Sequence, residues 1–130
     1  MKKKIATRPI QTLSLEFEDG KTKDLKFTNY TVAILDEEFE EGSMSIIFNS
    51  FKKPYQNGCK LIYAGMKTVD ETVKFDDVKR IVVNMDIPTL FEIIQFAIDN
   101  LYGYPEENQK KMMDKATMKM AQEILKNIIN

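Results

Sequence analysis

Apolar and polar residues change rhythm along this chain, and each rhythm predicts an element. Leu13, Leu15 and Phe17 alternate with Ser14, Glu16 and Glu18, the two-residue period of a strand with one wet face. Asp19-Gly20 is a turn signal, after which Leu25 and Phe27 alternate with Asp24, Lys26 and Thr28. The pattern predicts a β-hairpin over about 11–28. A lone hairpin is marginal in water, so its apolar face must rest on something else.

The period then lengthens. Asn29 offers a helix cap, Val32, Leu35 and Phe39 recur at helical spacing, and Gly42 supplies a stop. Asp36, Glu37, Glu38, Glu40 and Glu41 crowd the end of this helix, the unfavourable end for acids in the helix dipole. Ser43 is a candidate cap for a second segment, in which Met44, Ile47, Phe48 and Phe51 fall at i, i+3, i+4 and i+7 before Pro54 ends it. Cys59, Ile62 and Tyr63 suggest a further short helix whose end Gly65 loosens. Residues 70–74 are polar and read as a loop. Phe75, Val78, Ile81, Val82 and Met85 fit a helix. Val82 and Val83 beside Ile81 also suit a strand, but the spacing favours the helix. Thr89 and Glu92 form a capping-box pair, and Leu90, Ile93, Ile94, Ala97, Ile98 and Leu101 follow without a miss up to Gly103.

Pro105, with Glu106 and Glu107 behind it, opens a last helix. On a helical wheel Met113, Thr117, Met120, Ala121, Ile124, Leu125 and Ile128 share one broad face, with Lys115, Lys119, Gln122, Glu123 and Lys126 opposite. Four methionines fall between 112 and 120. Methionine is unbranched and polarizable and repacks against partners of different shape. Such an arc serves the chain's own core, a partner, or both at its two edges.

The fold class that follows is mostly helical α+β, an N-terminal β-hairpin packed on about six short to medium helices. Residues 1–9 read as a flexible tail and 10–130 as one domain, with the hairpin at about 11–28 and the helical part at about 29–130. No repeat, low-complexity tract or long linker interrupts it.

Composition narrows the function classes. The 130 residues carry 19 basic and 20 acidic side chains, a net charge of −1, so no global field points to nucleic acid or an anionic membrane. There is no histidine, the commonest general base and metal ligand, and Cys59 stands alone. Structural zinc is thereby excluded. The five glycines form neither a GxGxxG nor a GxxxxGK loop, and no GxSxG elbow occurs. Asp70, Glu71, Asp76 and Asp77 lack the spacing and glycine of a calcium loop. No catalytic residue, cofactor site or metal site is expected. No apolar run of signal-peptide or membrane-span length appears, which points to the cytoplasm. The expectation is a protein that binds other proteins.

The order of elements carries a resemblance. LSLEFEDGKTKDLKFTN leads straight into YTVAILDEEFEEG, followed by LIYAGMKT and an acid-opened helix at FDDVKRIV. This layout resembles the tail assembly chaperones of long-tailed bacteriophages and prophages over roughly residues 10–102. Glu37-Glu38-Phe39-Glu40 matches that family's acidic-Phe-acidic helix end, and Tyr63-Ala64-Gly65 its short Tyr-Ala-Gly phrase. The resemblance implies a protein of the bacterial host cytoplasm, absent from the mature virion. It would coat the long helical tape measure protein until tail tube protein polymerises around it. Many members are made in two lengths by frameshifting, and the Lys- and Met-rich end here departs from the family's pattern.

The candidate protein-binding residues are Met113, Met120, Ile124 and Ile128 on the terminal arc, with Phe48 and Phe51 in the second helical segment. Expected partners are the tape measure protein and tail tube protein, with a homo-oligomer also open, and neither nucleic acid nor membrane. The alternative from another class is a structural virion component, such as a head–tail joining or tail-completion protein.

Overall fold

The computed structural model describes residues 1–5 and 9–103. It is a two-strand antiparallel hairpin packed against five helices, mostly helical α+β as the patterning predicts. The predicted last helix over 105–130 lies outside the described residues.

Strands β1 (Leu13–Glu16) and β2 (Thr22–Leu25) pair with Leu13 opposite Leu25 and Leu15 opposite Lys23. They are joined through Gly20, whose φ of 83° suits glycine and strains other residues. Phe17 donates its N–H to the Lys21 carbonyl, and Lys21 donates to the Asp19 carboxylate, closing the turn. Leu13, Leu15 and Phe17 are half-buried while their polar neighbours are exposed, as the alternation requires. Leu25 and Phe27 are buried and anchor the hairpin to the helices.

The helices are α1 (Asn29–Glu38), α2 (Gly42–Phe48), α3 (Pro54–Val69), α4 (Phe75–Val83) and α5 (Ile87–Tyr102). The capping residues differ from those expected. Thr28, not Asn29, caps α1. Its hydroxyl accepts from the Tyr30 N–H, and its own N–H donates to Thr31 Oγ1. Gly42 does not stop α1, which ends at Glu38. With φ 80° it turns the chain directly into α2, so Ser43 lies inside that helix, buried. Asp36 performs the capping there, accepting the Ser43 N–H at 2.7 Å. Asp86 caps α5 by accepting the Thr89 N–H at 2.8 Å, so Thr89 sits within the first turn and no Thr89–Glu92 box forms. In each case the cap is a short oxygen-bearing side chain, adjacent to the expected residue at α1, three residues before it at α5 and seven before it at α2.

The largest departure is α3. Pro54 opens this helix, and its 16 residues run through both Gly58 and Gly65. It touches α1, α2, α4, α5 and β2. The residues from Asn57 to Met66 are all buried except Lys60. The short helix expected around Cys59, Ile62 and Tyr63 is part of this longer one, which Gly65 does not end. Its glycines are points of close approach rather than breaks. A Cβ at Gly58 would meet Leu90 Cδ1 of α5 at 3.0 Å, and one at Gly65 would fall 2.5 Å from Phe27 Cε1.

Polar groups inside this packing are paired. The hydroxyls of Thr31 on α1 and Thr68 on α3 lie 2.7 Å apart in hydrogen-bond contact. Thr31 Oγ1 also reaches the Lys26 carbonyl, and Thr68 donates to the Ala64 carbonyl. Lys26 N–H donates to the Gly65 carbonyl, which ties the hairpin exit to the middle of α3. Among the described residues no buried side-chain nitrogen or oxygen lacks a partner.

Candidate protein-binding surface

Two of the six residues singled out from the sequence lie among the described residues, and the fold separates them. Phe51 is only 9% exposed and packs on Phe91 of α5 with ring centroids 5.6 Å apart. It is a core residue, not a surface for a partner. Phe48 is 66% exposed and Met44 is 48% exposed. The buried side of α2 is formed by Ser43, Ile46 and Ile47. Met44 and Phe48, four residues apart, therefore share an outward face, which Phe51 of the same i, i+3, i+4, i+7 set does not join. Met113, Met120, Ile124 and Ile128 lie outside the described residues.

The joint after α2 is tight. Lys52 and Lys53 donate their backbone N–H groups to the Asn49 carbonyl, which also accepts from the Asn57 side chain. This returns the chain at once into α3 and ties the end of α2 to the start of α3. An exposed apolar pair on a helix so fixed is pre-organised for contact, and little ordering entropy remains to be lost on binding.

Two of the acids at the end of α1, Glu38 and Glu41, take specific partners on α3, while Glu37 and Glu40 are exposed. Glu38 accepts from the Tyr63 hydroxyl at 2.6 Å and from Lys67 Nζ at 2.9 Å. Glu41 pairs with Lys60. Between them Phe39 packs edge-on against Tyr63 and Phe75, with centroids 6.1 Å and 5.3 Å away. Tyr63 and Phe75 themselves meet at 5.3 Å. This three-ring cluster joins α1, α3 and α4. Glu38, Phe39 and Glu41 together thus tie the end of α1 to α3 and α4.

These contacts predict a pH dependence. Burial pushes the Glu38 carboxyl up, but the hydrogen bonds from Tyr63 and Lys67 and the Lys67 charge outweigh it and hold it below the ordinary value. The Ser43 N–H lowers Asp36, and the Thr89 N–H lowers Asp86. Each folded value lies below its unfolded one. The stability they contribute is therefore complete above the ordinary carboxylate range and is lost as pH falls through the folded values. The urea midpoint should decline on acidification from about pH 5 towards pH 3. Glu38→Gln combined with Asp36→Asn should lower stability at neutral pH and flatten that decline. An unchanged acid slope in the double variant would refute the assignment.

A second surface feature lies between α3 and α4. Tyr55, Gln56, Cys59 and Lys60 from α3, and Phe75 and Lys79 from α4, line an open cleft of about 280 Å³. Sequence reading placed Cys59 and Phe75 in their helices but had no means of bringing them to one cleft. Burial pushes the Cys59 thiol up, against the opposing effects of Lys79 and Tyr55. The thiol is thus protonated at neutral pH and no nucleophile. Among the described residues no cluster of three or more Cys, Asp or Glu has metal-binding geometry, and no helix is long and apolar enough to cross a membrane. No protein-family model, curated protein or solved structure matches this chain.

Proposed function

We propose that this protein is a tail assembly chaperone of a long-tailed phage or prophage. In this reading it binds the tape measure protein in the host cytoplasm until tail tube subunits assemble. The observation that carries the reading is the outward Met44–Phe48 face of α2, held firmly by the Asn49 joint. A chaperone for a long apolar helix needs adaptable apolar side chains at its surface, and polar surroundings that keep it in solution. Methionine with an aromatic ring supplies the first. Ser45, Lys52 and Lys53, all exposed, supply the second. The hairpin-then-helices order that carries the resemblance agrees with this reading.

The test is co-expression with the tape measure protein encoded beside it. Wild type is expected to keep the client soluble and to co-purify with it. Met44→Asp with Phe48→Asp should weaken the complex by at least about 30-fold, the effect of losing a hot spot of about 2 kcal/mol. Thermal stability should stay close to wild type, because both side chains already face water. Unchanged co-purification by a folded double variant would remove α2 as the contact. Recovery of the protein in purified virions would overturn the chaperone reading in favour of a structural component.

A further inference from the structure

We infer that the cleft between α3 and α4 receives an Asp or Glu side chain that the client helix carries beside its apolar stripe. This rests on the chaperone reading but on a different observation. The cleft holds two ammonium groups, from Lys60 and Lys79, and among the described residues no carboxylate lines it. Its other walls are the Phe75 and Tyr55 rings, the Cys59 sulfur and the Gln56 amide.

The two lysines differ in how far they are already neutralised. Lys60 is paired with Glu41 and lies 5.3 Å from the Phe39 ring centroid, so it is fixed in place and partly spent. Lys79 is not. Its nearest carboxylate oxygen, on Asp76, is 3.9 Å away on a side chain 84% exposed, where water screens the pair. Its ammonium stands 4.7 Å from the Phe75 ring centroid, held at the cleft by the ring face. A cleft with aromatic walls and a cation whose pairing is long and exposed favours a carboxylate with a short apolar stem. The stem lies on the rings, and the oxygens take charge-assisted hydrogen bonds from Lys79 and the Gln56 amide. At about 280 Å³ the space suits one side chain, and it falls at the lower limit for an independent small-molecule site. Nucleic acid fits less well, because it requires a basic stripe tracking several phosphates, and here Asp76 and Asp77 border the second lysine.

Such a contact adds register to an otherwise greasy interaction. An apolar face alone tolerates sliding along a helical client, whereas a carboxylate seated in a fixed cleft selects particular positions.

The experiment uses the full chain co-produced with the tape measure protein, and synthetic peptides tiled across that client. Lys79→Glu should reduce affinity at least tenfold and flatten its dependence on sodium chloride, while Lys79→Arg stays within a few-fold of wild type. Gln56→Glu, which places an acid at the cleft without touching Lys79, should weaken binding in the same direction. Replacing the critical client acid by lysine should restore binding to Lys79→Glu. If both cleft variants bind like wild type while Met44→Asp with Phe48→Asp abolishes the complex, the cleft inference falls and the chaperone reading stands. If wild type forms no complex, both fall.

Discussion

Phe27→Ala should cost about 3–5 kcal/mol, the range for removing a fully buried aromatic side chain from a core. Phe27 is buried at the exit of the hairpin. Its ring lies against Gly65 in the middle of α3 and meets Phe96 of α5 edge-on, with centroids 6.0 Å apart. It therefore joins the β-hairpin to both long helices. The alternative support for the hairpin is modest, because β1 is only half-buried and the sheet has just two strands. Loss of the ring leaves a cavity that the rigid α3 backbone cannot fill. The loss is a large share of the roughly 5–15 kcal/mol by which domains of this kind are stable. The expected readout is a much lower urea midpoint, together with accelerated amide exchange at Leu25 and Lys26, whose backbone contact to Gly65 depends on this packing. A variant that loses less than about 1 kcal/mol would show that the hairpin does not depend on this anchor.

Gly65→Ala is expected to be destabilising by about 1–3 kcal/mol, the usual cost of forcing extra volume into a packed site. Helix propensity argues the opposite sign, since alanine within a helix is favoured over glycine by about 1 kcal/mol. The geometry decides between them. A Cβ at position 65 would lie 2.5 Å from Phe27 Cε1 and 2.7 Å from Cζ, distances that real Cβ contacts do not tolerate. Relief requires the Phe27 ring to move, and that ring is already packed edge-on against Phe96. The two predictions are coupled. In a Phe27→Ala background the obstacle is gone, so Gly65→Ala should become neutral or mildly stabilising. The double-mutant cycle should then return an interaction energy of about 1–3 kcal/mol. Additive effects would mean that the ring and the glycine do not share the site.

The same pair explains why the Tyr63-Ala64-Gly65 phrase is legible in the sequence but not interpretable there. Tyr63 is present for its hydroxyl bond to Glu38 and its place in the three-ring cluster. Ala64 is fully buried, and Gly65 admits Phe27. Likewise Glu37-Glu38-Phe39-Glu40 reads as an acidic helix end poorly matched to the helix dipole. Its purpose becomes visible only when Tyr63 and Lys67 are seen opposite Glu38, some 25 and 29 residues on. The short phrases behind the family resemblance are therefore packing devices of this fold. Of the surface proposed to meet a client, the cleft shares Phe75 and Lys60 with the packing around Phe39, whereas Met44 and Phe48 belong to none of these phrases.

Local pattern was sufficient for every element whose environment is one-sided. The hairpin alternates because one face is wet. α4 and α5 keep their spacing because each has a solvent side, and both run close to the predicted limits. The class of the fold, mostly helical α+β, follows from those elements alone. Tertiary structure decided the rest. It made α3 one continuous helix where the spacing predicted a short one, because its two glycines serve neighbours far away in the chain instead of ending it. It also divided the Met44 to Phe51 stripe, sending Phe51 into the core against α5 and leaving Met44 and Phe48 outward. Helical spacing specifies which residues share a face. Only the neighbours packed around a helix determine which face meets water.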